Sequence, residues 1–314
     1  MENKKVSIGG QALIEGIMMR GPQKTAMAVR HVSGNIVKEE WDTSSAVKSR
    51  WFRIPFIRGT FNMIDSLRVG YRCLMRSAEL SGLEDEQPNQ PQKKSEKALF
   101  SVLMVISTLL GVLLSVGLFI YLPSFLYATM AKALDTSLGG DFWVSNSVLR
   151  GVFEGVLRLV MFIAYLALVS LTKDIKRVFM YHGAEHKTIF CYEAGEELTV
   201  ENIRKQSRFH PRCGTSFMIL MLLVGMVISI CIQIDTVWLR TVVKIALLPL
   251  SVGIGYECIR LAGRTCNWFT RAISAPGLWI QRLTTREPDD SMIECAIEAF
   301  TAVIPQEEKA DDPT

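Results

Sequence analysis

The chain has only four histidines, no cysteine pair spaced CxxC, and no glycine-rich segment with the spacing of a nucleotide-binding loop. Its seven cysteines sit mostly in or beside apolar stretches, which argues against a disulfide framework. Gly9-Gly10 and Gly16 permit tight turns or close backbone approach without the pattern that cradles a phosphate. The N-terminus starts basic but lacks the long apolar run of a secretory leader, so the first strong apolar span is expected to be a true anchor. Charge is scarce in four places, and that scarcity sets the fold class.

Residues 99–122 hold 24 positions without a charge. Residues 151–171 are interrupted only by Glu154 and Arg158, residues 215–234 are uncharged, and residues 241–259 carry only Lys244 and Glu257. Each stretch is long enough to cross roughly 30 Å of hydrocarbon at about 1.5 Å per residue. The apolar fraction of 49% and a positive mean hydropathy agree. The expected fold is a mainly α-helical polytopic membrane protein with four transmembrane helices and a small cytosolic α+β portion. Residues 1–98 are expected to supply cytosolic strands, an amphipathic helix and a linker. Residues 99–259 form the membrane domain with a cytosolic motif loop at 172–214, and residues 260–314 form a cytosolic C-terminal segment with interfacial and amphipathic helices.

Orientation follows from the basic residues. Lysine and arginine number 16 in residues 1–98, eight in 172–214 and six in 260–314, against three in 123–150 and 235–243 together. The positive-inside rule makes the rich side cytosolic, which places both termini inside a multi-pass protein of the cell membrane. The net charge of +4 is explained by these basic flanks and needs no nucleic acid.

Alternating apolar and polar positions over residues 6–37 predict short strands at about 11–19, 26–32 and 35–40, with a turn at Ser33-Gly34-Asn35. His31 falls at a strand end. Residues 55–80 read as a helix too charged to cross a membrane. Arg68, Arg72 and Arg76 recur at four-residue steps beside Phe61, Ile64 and Leu67, which suits a helix lying against anionic lipid or packed on its own cytosolic domain. Residues 81–97 have a linker composition. Glu154 is expected to pair with Arg150 or Arg158 on its own helical face, because an unpaired charge at that depth is costly. Trp268 and Trp279 with nearby arginines suggest an interfacial segment. Asp289-Asp290 should cap an amphipathic helix reaching about Val303, followed by an acidic tail.

Chemistry concentrates at Tyr181–Lys187, which reads H-x-x-E-H from His182 to His186. On a helix that spacing puts both imidazoles on one face, within reach of one metal ion. The expected topology brings His182, His186, His210, Cys213 and Glu257 to the same cytosolic layer; imidazole, thiolate and carboxylate are the zinc ligand set. One arrangement has His182, His186 and Glu257 as ligands, with water in the fourth position and Glu185 as general base, in the manner of an inverted zincin. Lys187 or Arg260 would then steady an oxyanion. In the other, His182, His186, His210 and Cys213 close a structural site, with Glu185 orienting an imidazole. In a third reading, level with the structural site, the histidines form a metal-free hydrogen-bonding patch; Cys213 as a nucleophile with His210 as base is weaker.

The stretches Gly9–Arg20, Tyr181–Lys187, His210–Phe217, Ala275–Trp279 and Leu283–Pro288 resemble the YqhQ-like bacterial membrane proteins, and together they extend over almost the whole chain. That family is described as predicted metal-dependent enzymes. The resemblance implies a metal role at positions 182, 185, 186, 210 and 213, and functional importance for Gln11, Glu15 and Arg20. The leading expectation is a zinc-dependent hydrolase at the cytosolic membrane face, acting on a peptide or lipid-linked substrate. The alternative is a non-enzymatic scaffold with a structural metal site and a protein partner on the cytosolic side. A transporter ranks third, since no paired half-helices stand out.

Overall fold

The computed structural model describes residues 6, 8–43, 54–83, 94–211, 213–262 and 268–305. Most of the linker read at 81–97, and the acidic tail, lie outside these residues. The chain is mainly α-helical with one small antiparallel sheet. Strands β1 (Gly9–Leu13), β2 (Gly16–Arg20), β3 (Lys24–Arg30) and β4 (Ile36–Asp42) form a meander in chain order. The helices are α1 (Ile57–Ser81), α2 (Lys94–Val116), α3 (Leu122–Leu138), α4 (Phe142–Ser145), α5 (Ser147–Val169) and α6 (Lys173–Ala194). After these come α7 (Val200–Lys205), α8 (Gly214–Cys231), α9 (Val237–Ala246), α10 (Leu248–Ala262), α11 (Trp268–Thr284) and α12 (Asp290–Val303).

The sheet is covered on both faces, and the two-residue period of its strands sorts the side chains. Ile17, Met19, Ala26 and Ala28 join a core with Tyr181 and Ala184 of α6 and Met292, Ala296 and Phe300 of α12. Met18 and Met27 point the other way, to Leu13 and to Cys73 of α1. Asp289 caps α12 by accepting the Met292 N–H at 2.9 Å, as its sequence position suggests.

The strand read at 11–19 is in fact two strands, β1 and β2, joined by a turn at Ile14-Glu15. Glu15 has φ +50°, a left-handed conformation that costs an ordinary residue about 1 kcal/mol or more. Tertiary bonds offset that cost. Ile14 N–H donates to Ser77 Oγ at 3.2 Å, Arg30 N–H donates to Glu15 O at 2.7 Å, and Arg177 Nε donates to the Glu15 carboxylate at 2.5 Å. Gly16 directly after Glu15 is the local signal of the turn, but without a proline or asparagine beside it the alternating pattern runs on as one strand.

Among the described residues, three helical stretches are long and apolar enough to cross a membrane: Val105–Leu138, Ser147–Val169 and Gly214–Cys231. A fourth exists if Val237–Ala246 and Leu248–Leu261, bent by 46°, count as one span. The expected first span ended at 122, just before Pro123, yet the helix continues to Leu138. A π-turn at Gly117–Tyr121 removes the obstacle: Leu122 N–H reaches back five residues to Gly117 O, so proline enters where the ladder is already shifted. The expected fourth span, 241–259, is broken at Leu247, with Pro249 in the first turn of α10.

Glu154 finds its partners on α8 and α9. Its carboxylate is fully buried and receives Arg240 Nη1 at 3.2 Å, Ser229 Oγ at 3.0 Å and a short contact from Lys244 Nζ. Arg150 instead donates to Asp235 and to Ile232 O, and Arg158 Nε donates to Phe119 O inside the π-turn at 2.8 Å. The expected pairing within α5 is therefore replaced by one across helices. Arg240 and Lys244 lie one turn apart on α9, so both converge on a single carboxylate.

Candidate metal centre

The helix carrying the motif, α6, starts after Thr172 with Asp174 in its first turn and ends at Gly195, whose φ of +80° suits the left-handed stop. His182 and His186, one turn apart, have ring centroids 4.4 Å apart. Cys213 is the N-cap of α8, and its Sγ accepts the Thr215 N–H at 3.5 Å, a helix-terminus setting that favours an anionic ligand. One ligand atom from each of His182, His186 and Cys213 lies within 4.8 Å of the others. Among the described residues, this is the group of three that could hold a metal ion.

The surroundings fix which nitrogen faces inward. His182 Nδ1 lies 2.8 Å from Thr284 O and His186 Nδ1 lies 2.5 Å from Arg208 O. A carbonyl only accepts, so both Nδ1 atoms carry the hydrogen and both Nε2 atoms present lone pairs. His182 Nε2 sits 3.2 Å from Cys213 Sγ. His186 Nε2 is buried with no well-aligned hydrogen-bond partner, only the Cys213 thiol lying near it, and a metal ion at this point would satisfy it. Burial also holds the His186 imidazole below its ordinary pKa, in the neutral form that binds metal. An N–H to a backbone carbonyl is the usual outer support of a metal-binding histidine.

Two glycines make this packing possible. A Cβ on Gly183 would lie 2.0 Å from Arg286 O, so only glycine lets the 284–288 segment cross α6 closely enough to bring Thr284 O to His182. A Cβ on Gly10 would lie 2.9 Å from Glu185 Cγ, so β1 runs directly over that carboxylate.

The other residues singled out in the sequence are distributed around this triad. Glu185 is buried under Gly10, whose backbone N–H it accepts; its Oε2 has no partner, and burial raises its pKa to about 7. Lys187 is buried, with Nζ 2.9 Å from both Arg204 O and the Glu287 carboxylate. The His210 ring packs against Phe190 and His186, at centroid distances of 4.8 and 5.6 Å, with Nε2 3.7 Å from Glu193. Its backbone is clamped by Gln281, which accepts the His210 N–H and donates to its carbonyl, each at 2.7 Å. Glu257 is engaged elsewhere: both carboxylate oxygens receive the Arg58 guanidinium, and Oε1 also accepts the Phe56 N–H. Neither His210 nor Glu257 belongs to the converging group. Arg20 pairs with Asp65 at 2.7 Å, and Gln11 packs against Gly70. Thr284 and Arg208 were not singled out as site residues, because they act through backbone carbonyls that any residue type carries.

The profile of a family described as "Protein of unknown function (DUF1385)" matches residues 54–306. The chain belongs to that family. A DUF1385 relative from Bacillus subtilis (strain 168), "Uncharacterized protein YqhQ", is 35% identical over 305 residues, covering 94% of this chain and 92% of its own length. No solved structure matches. The DUF1385 match spans α1 to α12 and so includes all three converging ligands.

Proposed function

We propose that His182, His186 and Cys213 bind one zinc ion and that the protein is a metal-dependent hydrolase at the cytosolic membrane face, acting on a peptide or lipid-linked substrate. The observation that carries this reading is the three-ligand convergence, with no well-aligned hydrogen-bond partner at His186 Nε2. Two imidazole nitrogens and a thiolate are a zinc-type donor set, and three protein ligands leave the fourth position open, as catalytic zinc sites do. A divalent ion there supplies Lewis-acid polarisation. Glu185 is assigned the proton transfer, with one oxygen anchored by Gly10 and the other unpartnered. Lys187, tied to Arg204 and Glu287, braces the segments around the site.

The lysine and arginine distribution supports both termini on the cytosolic side. Helix α1 supports contact with membrane lipid, since Phe61, Ile64, Leu67 and Tyr71 are exposed along one side with Arg68 and Arg72. A second reading has its own observation. The ligands come from two helices, and Cys213 doubles as a helix cap, so a metal would also staple α6 to α8. That reading makes the protein a scaffold for a cytosolic partner.

Metal analysis of the purified protein and four variants tests both. About one zinc per chain is expected in the native protein and in Glu185→Gln, His210→Ala and Glu257→Gln, with loss in His186→Ala. Native protein without metal would refute both readings, and metal loss in His210→Ala would favour a closed structural site. Glu185→Gln should retain zinc and lose hydrolysis against a panel of peptides and glycerolipids presented to the reconstituted protein. Undiminished hydrolysis in that variant would remove Glu185 from the mechanism.

A further inference from the structure

Beside the metal centre, α6, Arg208 and the 282–287 segment line an open, solvent-facing pocket of about 370 Å³. It shares walls with the centre. Leu283 and Thr285 line the cavity, while Thr284 between them holds His182; Arg208 lines it and holds His186 through its carbonyl. Four cationic residues line this space, Lys176, Arg208, Arg282 and Arg286, against one acidic residue, Glu287. Four positive charges and one negative leave +3 around the void. Glu287 is further neutralised from behind by Lys187, at 2.9 Å.

These cations are poorly matched by the protein. Lys176 and Arg282 make no side-chain hydrogen bond or ion pair among the described residues. Arg208 reaches Glu287 only at 3.4 Å, and the Arg286 side chain donates one bond, to Ser170 O at 3.2 Å. Arg208 and Arg286 each keep a buried Nε–H with no acceptor. Buried guanidinium donors without acceptors are costly, and clustered like charges repel, so an anion with several oxygens would complete the arrangement. Phosphate is such a group, and arginine forks match its geometry.

Position narrows the source. Ser170, which receives Arg286, follows the last residue of the α5 candidate span. Trp279, exposed on α11 one turn before the cavity-lining Leu283, is the aromatic type that settles at head-group level. We propose that this cavity binds the phosphate of an anionic lipid or lipid-linked molecule at the membrane boundary and presents it to the metal centre. Anion binding stands on the cavity alone; the step from ligand to substrate rests on the hydrolase reading above.

The test uses full-length protein in neutral detergent, with dioleoylphosphatidic acid, dioleoylphosphatidylcholine and inorganic phosphate as probes. Binding is read by native mass spectrometry and by the shift in thermal midpoint. Phosphatidic acid should bind in preference to phosphatidylcholine, and the double variant Lys176→Gln/Arg282→Gln should weaken it by about tenfold or more. Both substituted side chains are exposed and unpaired, so the fold and the zinc content should be unchanged. Inorganic phosphate binding as tightly would identify the phosphate group alone as the ligand; binding by the lipid only would identify a membrane-derived head group. Equal binding of phosphatidylcholine, or binding unaffected by the double variant, would overturn the proposal. His186→Ala separates the two claims, since it should lose metal and keep phosphatidic acid.

Discussion

Gly183→Ala tests whether the close crossing of α6 by the 284–288 segment builds the site. In a free helix this change is stabilising by about 1 kcal/mol, because alanine loses less backbone entropy than glycine. Here the added Cβ would lie 2.0 Å from Arg286 O, whereas real Cβ atoms essentially never approach closer than 3.0 Å. The carbonyl must therefore retreat by about 1 Å or more, against overpacking costs of about 1–3 kcal/mol. Retreat stretches two bonds of 2.8 Å, Arg286 N–H to Phe179 O and His182 Nδ1–H to Thr284 O. At about 1 kcal/mol each, these bring the expected net loss to about 2–4 kcal/mol. Losing the carbonyl behind His182 should also weaken metal binding by about 10–100-fold. Denaturant unfolding in detergent and competition against a chelator measure the two effects. A variant more stable than the native protein, with unchanged metal affinity, would refute the reasoning, because helix propensity would then have outweighed a clash that is not there.

Two further predictions concern buried charge. In the metal-free protein Glu185 has a folded pKa of about 7 against an ordinary 4.5, so the folded state holds its proton to higher pH than the unfolded state does. Stability should thus fall as pH rises from 4.5 through 7 and level off above, and Glu185→Gln should remove that slope, gaining up to about 3 kcal/mol at pH 8. Unfolding of chelator-treated protein at pH 5 and 8 checks this; equal slopes in both proteins would count against it. Lys244→Met removes one of the two cations on Glu154 and should cost about 3 kcal/mol in unfolding from mixed micelles, with Arg240 limiting the loss. Partial recovery is expected in Lys244→Met/Glu154→Leu, and a neutral single variant would show that Lys244 does not stabilise Glu154.

Much of the architecture was legible because it depends on local or compositional physics. The uncharged runs around 105–116 and 215–231 can be read without a partner, since a helix satisfies its own backbone and needs only apolar side chains to sit in lipid. The H-x-x-E-H spacing placed both imidazoles on one face for the same reason, through the helical repeat alone. Asp289 was recognisable as a cap because its partner, Met292 N–H, is three residues away. Turn, break and partner choices were less visible. The Ile14-Glu15 turn is held by Ser77, Arg30 and Arg177, all far along the chain. The apolar run set the first span at 99–122, but the π-turn before Pro123 lets the helix continue to Leu138.

The sequence by itself determined the membrane class, the motif helix and the pool of ligand-type residues. Tertiary structure decided which members of that pool meet. His210 and Glu257 have suitable chemistry, but Gln281 clamps the backbone of the first and Arg58 holds the carboxylate of the second. Cys213 joins His182 and His186 because capping α8 aims its sulfur at their Nε2 side. Residue type limits what a side chain can bind. The ligand set depends on distances of a few ångströms between segments up to about a hundred residues apart, such as His182 and Thr284, and only packing sets those.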